Sequence, residues 1–493
     1  MHLPPSIRLR TPKRALTADA DFGPNWFQWS IPFISIAIGF VFFLRTPSDL
    51  LATVQHAMLL LDSVAHGHLT SFYETSVSTT IMPAMYGITF YAIFALLLAP
   101  FAFGFAAFST FDYTNALQVE IFTRIMQIWI ILLVLLGTLL IYRLSLGLGY
   151  SRNRASWAAY LFLASPITLF SDTIFWQYDI ITIIFLIVAM NYYFQRRLLP
   201  FAAIMAFAIS CKLFAFFAFI PLLCLSEKHI SRLLGYAAIG MSLPVITEAI
   251  QHRMPGYDVA TGLRAHILDK LFDIGIGTGF GSISLAIVAI VLITVFSLFA
   301  EPQFEHSFKY RATLTAFTSI AVPFALFQAN TYWWIFVTPF AAILIAGHEK
   351  IDELMLTMTG FAAFLLLFSP VVFGYYMDQN MVNGGIFARV FGFHYSGRPS
   401  FQSILGGVTS HTPALLYSLT LGLILATVAV LFRTQRHALL DGKNPNSAPV
   451  DAYRSYDPPL RLPSQTSVIL YNAGLYVFIL PSLALYFREI LFK

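Results

Sequence analysis

Apolar runs close to twenty residues long recur along this chain from Trp26 into its last segment, separated by short polar stretches. A helix needs about twenty such residues to cross a hydrocarbon layer of about 30 Å. No soluble core calls for so many segments of that length, so the pattern predicts an all-α polytopic membrane protein. Composition points the same way. Of 493 residues 58% are hydrophobic and only 11% are charged, against about 25% charged in soluble domains. The net charge of +5 comes from Lys and Arg scattered through short loops, which sets orientation in a bilayer rather than binding nucleic acid. Cys211 and Cys224 both lie inside apolar runs, an arrangement that argues against a disulfide framework or a zinc site. The run from Trp26 to Leu44 has no small-residue cleavage site after it and reads as an uncleaved first span.

The distribution of basic residues predicts the topology. Arg8, Arg10, Lys13 and Arg14 place the tail 1–26 in the cytoplasm. Residues 46–123 then contain no Lys or Arg at all, as expected of an external segment. Within it, 82–109 is apolar enough to cross. A single crossing would put Arg143, Arg152, Arg154, Arg196 and Arg197 outside, so this stretch is expected to be a re-entrant or interfacial helix pair with no net crossing. The remaining runs lie near 27–45, 121–146, 155–171, 180–194, 199–212, 214–226, 233–250, 280–300, 311–328, 333–347, 353–374, 412–432 and 466–488. That makes about thirteen spans. The two short runs meeting at Lys212 read as broken half-helices. External loops are expected at 46–120, 251–279 and 375–411, and a flexible cytoplasmic linker at 434–465. A first module, 27–250, would carry the chemistry, and a second, 251–493, would be variable.

Candidate functional groups fall on the external side. Asp49 follows span 1 and could serve as a general base toward a hydroxyl; Ser48-Asp49 before LLATVQHAMLLL is equally a helix-capping sequence. Asp62 and Glu74 read as solvated surface. His56, His66 and His68 lack an acid or Cys partner at ligand spacing, so no metal is expected there. The segment FSDTIFWQYDII places Asp172 and Asp179 at the membrane boundary, where ionisable groups are functional hypotheses. Asp172 reads as a cap and Asp179 as the functional acid. Trp176 and Tyr178 have an ordinary role as interfacial aromatics. Lys212, in FAISCKLFAFF, needs an anionic partner, either Asp179 or a ligand phosphate, unless it snorkels outward. Arg253, Arg264, Lys270 and His252 follow in a loop that could hold a phosphate. The Asp19-Ala20-Asp21 triplet lies in the cytoplasmic tail, away from everything else.

Taken together, residues 27–235 resemble the GT-C superfamily of polytopic glycosyltransferases. SDLLATVQHAMLLLDSVAHGHLTSFY is similar to their first external loop with its catalytic Asp and short interfacial helices. FWQYDII resembles their W-G-Q-x-D-like stretch, with Trp176 in place of the usual Gly, and SCKLFAFFAFIPLLCL resembles their F-K-x-Q-like sequence. The resemblance implies a GT-C-like fold and an inverting transfer of a sugar from a polyprenyl-phosphate-linked donor. The acceptor would be a glycan, lipid or protein. The implied membrane is a bacterial inner or plasma membrane, with the reaction on its external face. Asp49 would be the base and Lys212, with Arg253 or Arg264, would stabilise the leaving phosphate. Trp176, Gln177, Tyr178 and Asp179 would line the substrate pocket. No cofactor is implied, and a divalent cation is left open. A transporter or flippase of lipid-linked sugars is the main alternative. A structural membrane protein and an acyl- or phospho-transferase are further ones, the last lacking a recognisable His or Ser centre.

Overall fold

The computed structural model describes residues 23–42, 48–106, 111–279, 281–300, 305–327, 329–372, 411–441 and 463–474. The N-terminal tail with Asp19 and Asp21, most of the expected external loop 375–411, most of the linker 434–465 and most of the last expected span lie outside them.

The chain is mostly helical. α1 (Trp26–Phe42) is followed by α2 (Ser48–Ala65), α3 (Phe72–Thr79), α4 (Ile88–Ala106) and α5 (Ala116–Gly147). α6 (Arg152–Leu163) and α7 (Pro166–Leu169) lead to α8 (Ile180–Phe194), α9 (Leu198–Cys211), α10 (Ala215–Ser226), α11 (Ile230–Gln251) and α12 (Tyr257–Asp269). α13 (Leu285–Phe299), α14 (Glu305–Ala325), α15 (Thr338–Ala346), α16 (Ile351–Val372), α17 (Thr412–Asp441) and α18 (Gln465–Ala473) complete it. Among the described residues α4, α5, α11 and α17 are long and apolar enough to cross a membrane, compatible with an integral membrane protein. Most other expected spans are shorter helices. At 1.5 Å per residue, the 15, 14 and 12 residues of α8, α9 and α10 measure about 22, 21 and 18 Å, short of a 30 Å layer.

Three local expectations change. Residues 82–109 contain one continuous helix, α4, rather than a helix pair; its lone Pro100 does not divide it. The expected loop 251–279 is largely structured, by α12 and by an antiparallel hairpin of β1 (Gly275–Thr278) and β2 (Gly281–Ser284). Gly281 turns it at φ 113, a backbone region glycine enters freely. α17 runs to Asp441, into the expected linker.

One apolar core joins the two halves of the chain, from Ile36 to Tyr471. The run from Thr331 to Ala346 is buried throughout, with α15 against α6 and Thr338 hydrogen-bonded to Thr168 at 3.1 Å. α1 packs against the turn after α7 through Gly39, where an added Cβ would lie 2.7 Å from the Thr173 carbonyl oxygen. Only a residue without a side chain allows that approach.

Candidate functional site

The FSDTIFWQYDII segment is shaped by its own sequence. Pro166 disfavours helix at Ser165, so α6 stops and the short α7 restarts the chain. The backbone then widens into a π-turn over Phe170–Ile174, with the Phe175 amide donating to the Phe170 carbonyl at 2.8 Å. Such turns concentrate at functional sites. Trp176 next adopts φ 51, a left-handed conformation that costs an L-residue about 1–2 kcal/mol. That bend lets the Gln177 amide donate to the Ser171 carbonyl at 2.8 Å, and burial of the Trp176 ring against Phe40 holds it in place.

Asp179 follows at the N-cap position of α8 but makes no capping hydrogen bond. Its carboxylate pairs with the Lys212 ammonium at 3.1 Å, with both side chains buried. Lys212 is therefore not snorkelling. It occupies the break between α9 and α10 with an extended backbone (φ −148, ψ 125), donates to the Tyr86 hydroxyl at 2.8 Å, and stands 4.6 and 5.3 Å from the Tyr86 and Tyr178 ring centroids. Ile180, the residue after Asp179, packs at Gly137 of α5.

Asp172 is not a cap. It lies within the π-turn, fully buried, and neither carboxyl oxygen has a hydrogen-bond partner among the described residues. The cap reading assumed a helix beginning nearby; the backbone instead carries helical turns straight through this residue.

Asp49 joins the site from the other direction. It lies in the first turn of α2, whose first helical residue is Ser48. There its charge faces the positive end of the helix dipole. Its Oδ2 accepts from Gln177 Nε2 at 3.2 Å, which ties α2 to the segment carrying Asp179. Between α2 and the turn before α4 is a small cleft, lined by Asp49, Thr53, His56, Met82, Tyr86 and Tyr178 among others. Behind it Phe90 and Phe94 each pack 5.2 Å from Tyr178, centroid to centroid.

Two residues of this site carried no sequence signal strong enough to single out their role here. Tyr86 bridges Lys212 to the cleft, from a turn held by the Tyr73 hydroxyl, which is shared between the Tyr86 carbonyl (3.1 Å) and Gln251 Oε1 (3.0 Å). The Pro and Gly of MPAMYG were the available hint of a turn that could present it. His56 is buried on α2, its Nε2 2.7 Å from the Met82 carbonyl oxygen and 3.1 Å from the Thr80 hydroxyl. Burial pushes its imidazole down to about 4, opposed by the Met82 hydrogen bond.

The loop cations do not gather as expected. Arg253 is exposed in the turn after α11 and does not line the cleft; the Arg264 side chain lies outside the described residues. His252 is exposed and engaged by Asp258 and Glu248 at 3.1 and 3.5 Å. Lys270 instead reaches Asn330 at 3.0 Å and the Trp333 ring at 5.3 Å, and Trp333 in turn contacts Phe214, two residues beyond Lys212. Among the described residues no three His, Cys, Asp or Glu side chains gather as a metal site, and His66 pairs with Asp62 at 3.2 Å. No protein-family model and no curated protein matches this chain.

Proposed function

We propose that the chain is a membrane glycosyltransferase, GT-C-like in fold, that moves a sugar from a polyprenyl-phosphate-linked donor to a hydroxyl acceptor. One observation carries the reading: the Gln177–Asp49 hydrogen bond of 3.2 Å joins a half-buried carboxylate to the segment whose Asp179 holds Lys212. Segments far apart in the chain thus bring a base and a cation to two sides of Tyr86. In the reaction, an Asp49 oxygen takes the proton of the acceptor hydroxyl as that oxygen bonds to the anomeric carbon. The bond from the anomeric carbon to the carrier phosphate breaks, and its electron pair leaves on the phosphate. Gln177 orients the carboxylate. Lys212 supplies positive potential to the leaving phosphate, reduced by its pairing with Asp179, and Tyr86 stands between it and the cleft. Arg253 or Arg264 would add a phosphate contact from outside the cleft, and Tyr178 lines the cleft while Trp176 and Asp179 support it from behind.

The test is sugar transfer from radiolabelled polyprenyl-phosphate donors in membranes containing the protein. Asp49→Asn should abolish it with the protein present at normal levels; full activity in that variant overturns the mechanism.

A transporter or flippase of lipid-linked sugars is supported by a different observation. The Asp179–Lys212 pair lies between two helix interruptions, the π-turn and the α9–α10 break, a setting that substrate sites of transporters share. Transbilayer movement of a labelled lipid-linked sugar in proteoliposomes, without sugar transfer, would favour it.

A further inference from the structure

Of the strand residues in the β1–β2 hairpin only Ser284 is buried. The pairing sorts the rest by face. Ile276 lies directly opposite Ile283, and opposite residues share a face, so the two isoleucines and Thr278 form one side. Gly275, Gly277, Ser282 and Ser284 form the other. Ile276 is 58% exposed, Ile283 47%, and Phe272, in the turn just before, 50%. A two-stranded hairpin left free in water is marginally stable at best, yet the described residues leave this isoleucine face open.

The place of the hairpin relative to a bilayer follows from α13, into which it leads. The Leu285 amide donates to the Ile274 carbonyl at 3.1 Å, and the Ser284 hydroxyl caps the helix by accepting from the Ile287 amide at 3.2 Å. No ionisable side chain occurs from Ile274 to Ala300, and Val291, Leu292, Val295 and Phe296 are exposed as on a lipid-facing helix. At the other end of α13, Lys228 donates to the Ser297 and Leu298 carbonyls, each at 2.8 Å. An ammonium belongs at or outside the edge of the hydrocarbon, so Ser297 marks that edge. Ser284 lies 13 residues before it, about 20 Å of helix. About 10 Å of a 30 Å layer then remains beyond Ser284, and any tilt of α13 leaves more. The open strand edges set the opposite limit. Unpaired N–H and C=O groups are not tolerated deep in hydrocarbon, so the hairpin lies where ester groups and water still reach it.

We infer that the isoleucine face of this hairpin is embedded among lipid acyl chains, in the leaflet farther from Lys228 and close to its headgroups. The glycine–serine face looks toward the headgroups and water. Ser284 also donates to the Leu271 carbonyl, which ties the inserted hairpin to the turn Lys270–Phe272. The hairpin is thus a membrane anchor for the turn that carries Lys270. This assignment is independent of the proposed transfer chemistry and holds equally for a transporter.

The test uses the full-length protein in phosphatidylcholine nanodiscs, carrying Ile276→Cys, Gly277→Cys or Thr114→Cys, each labelled with bimane. An added Cβ at Gly277 meets nothing within 4 Å, and the exposed Thr114 supplies a water-facing reference. Cys211 and Cys224 are buried, and the unsubstituted protein measures any labelling of them. Bimane at position 276 should emit to the blue of bimane at 114 and resist quenching by iodide. Lipids brominated near the glycerol end of the chain should quench it more than lipids brominated near the chain terminus. Bimane at 277, on the opposite face, should be more open to iodide than bimane at 276. Should Ile276→Cys fail to fold, Ile283→Cys reads the same face. Iodide quenching at 276 equal to that at 114 would put the face in water. Quenching by neither iodide nor lipid would mean that protein covers it, a second copy of the chain included. Strongest quenching by the deep bromines would put it at mid-bilayer. Each of these three results overturns the inference.

Discussion

Breaking the Asp179–Lys212 pair from either side should destabilise the fold, and breaking it from both sides should largely repair the damage. The charges lie 3.1 Å apart, with Asp179 fully buried and Lys212 7% exposed. At an effective dielectric constant of about 20, two unit charges at that separation attract by about 5 kcal/mol, set against the cost of taking both out of water. Lys212→Met keeps the length of the apolar stem but leaves the carboxylate facing the Tyr86 and Tyr178 rings without a counter-charge. Removing one member of a buried pair costs about 3–5 kcal/mol, and Asp179→Asn should cost a similar amount by stranding the ammonium. In the double variant both groups are neutral. It should be more stable than the sum of the single losses by about 3 kcal/mol, a coupling expected only of groups in contact. The measurement is unfolding of the purified protein in mixed micelles of increasing SDS fraction, followed by tryptophan fluorescence. Single variants within about 1 kcal/mol of the parent, or a double variant that simply adds the two losses, would refute the claim that this pair pins α8 to the α9–α10 break.

Four further outcomes are expected. At Trp176 the usual order of Ala above Gly should invert: both lose the buried ring, but Gly alone escapes the left-handed backbone at φ 51, so Trp176→Gly should unfold later than Trp176→Ala by about 1 kcal/mol. Gly39→Ala drives a Cβ into the Thr173 carbonyl oxygen at 2.7 Å and should cost about 1–3 kcal/mol, read as a lower thermal unfolding midpoint in detergent. Because burial holds His56 neutral down to about 4 while the unfolded imidazole titrates near 6.5, the unfolded state takes up the proton first as pH falls. Stability from this group is complete above pH 6.5 and is lost progressively between 6.5 and about 4, by about 3 kcal/mol in all; unfolding of His56→Gln should lack this dependence. Finally, cysteines placed at the exposed Thr114 and Gln195 should react with impermeant maleimide from opposite sides of the membrane, and labelling from one side would overturn the sidedness read from the basic residues.

Much of the architecture was legible because hydropathy is a local property. The helices containing Trp26, Ile180, Leu198 and Ile230 fall close to where apolar runs of matching length begin and end. The break at Lys212 was visible too, since a lone cation between two short apolar runs cannot continue either into lipid. Its need for an anionic partner follows from the same physics, and Asp179 meets it at 3.1 Å. Misread positions were those where local pattern and packing part company. Asp172 has the spacing of a cap, yet the π-turn absorbs it into helical backbone and the core closes over it. The run 82–109 offered composition for one helix or two, and nothing in it distinguishes them.

By itself the sequence determined a mostly helical chain with membrane-length apolar segments, an interrupted pair of short helices at Lys212, and a small set of ionisable residues worth attention. Tertiary structure alone decided which of those residues meet. Asp49 reaches Gln177 across 128 positions of sequence, and Tyr86 stands 126 positions from the lysine it accepts from. Such encounters depend on how α2 and the turn before α4 pack onto the α8–α10 segment, and no periodicity within any one segment encodes that. The buried nitrogen of His56 belongs to the same class. A histidine on an amphipathic helix has no assigned tautomer until the Met82 carbonyl is brought against one side of its ring, and only then is its other nitrogen fixed as an acceptor.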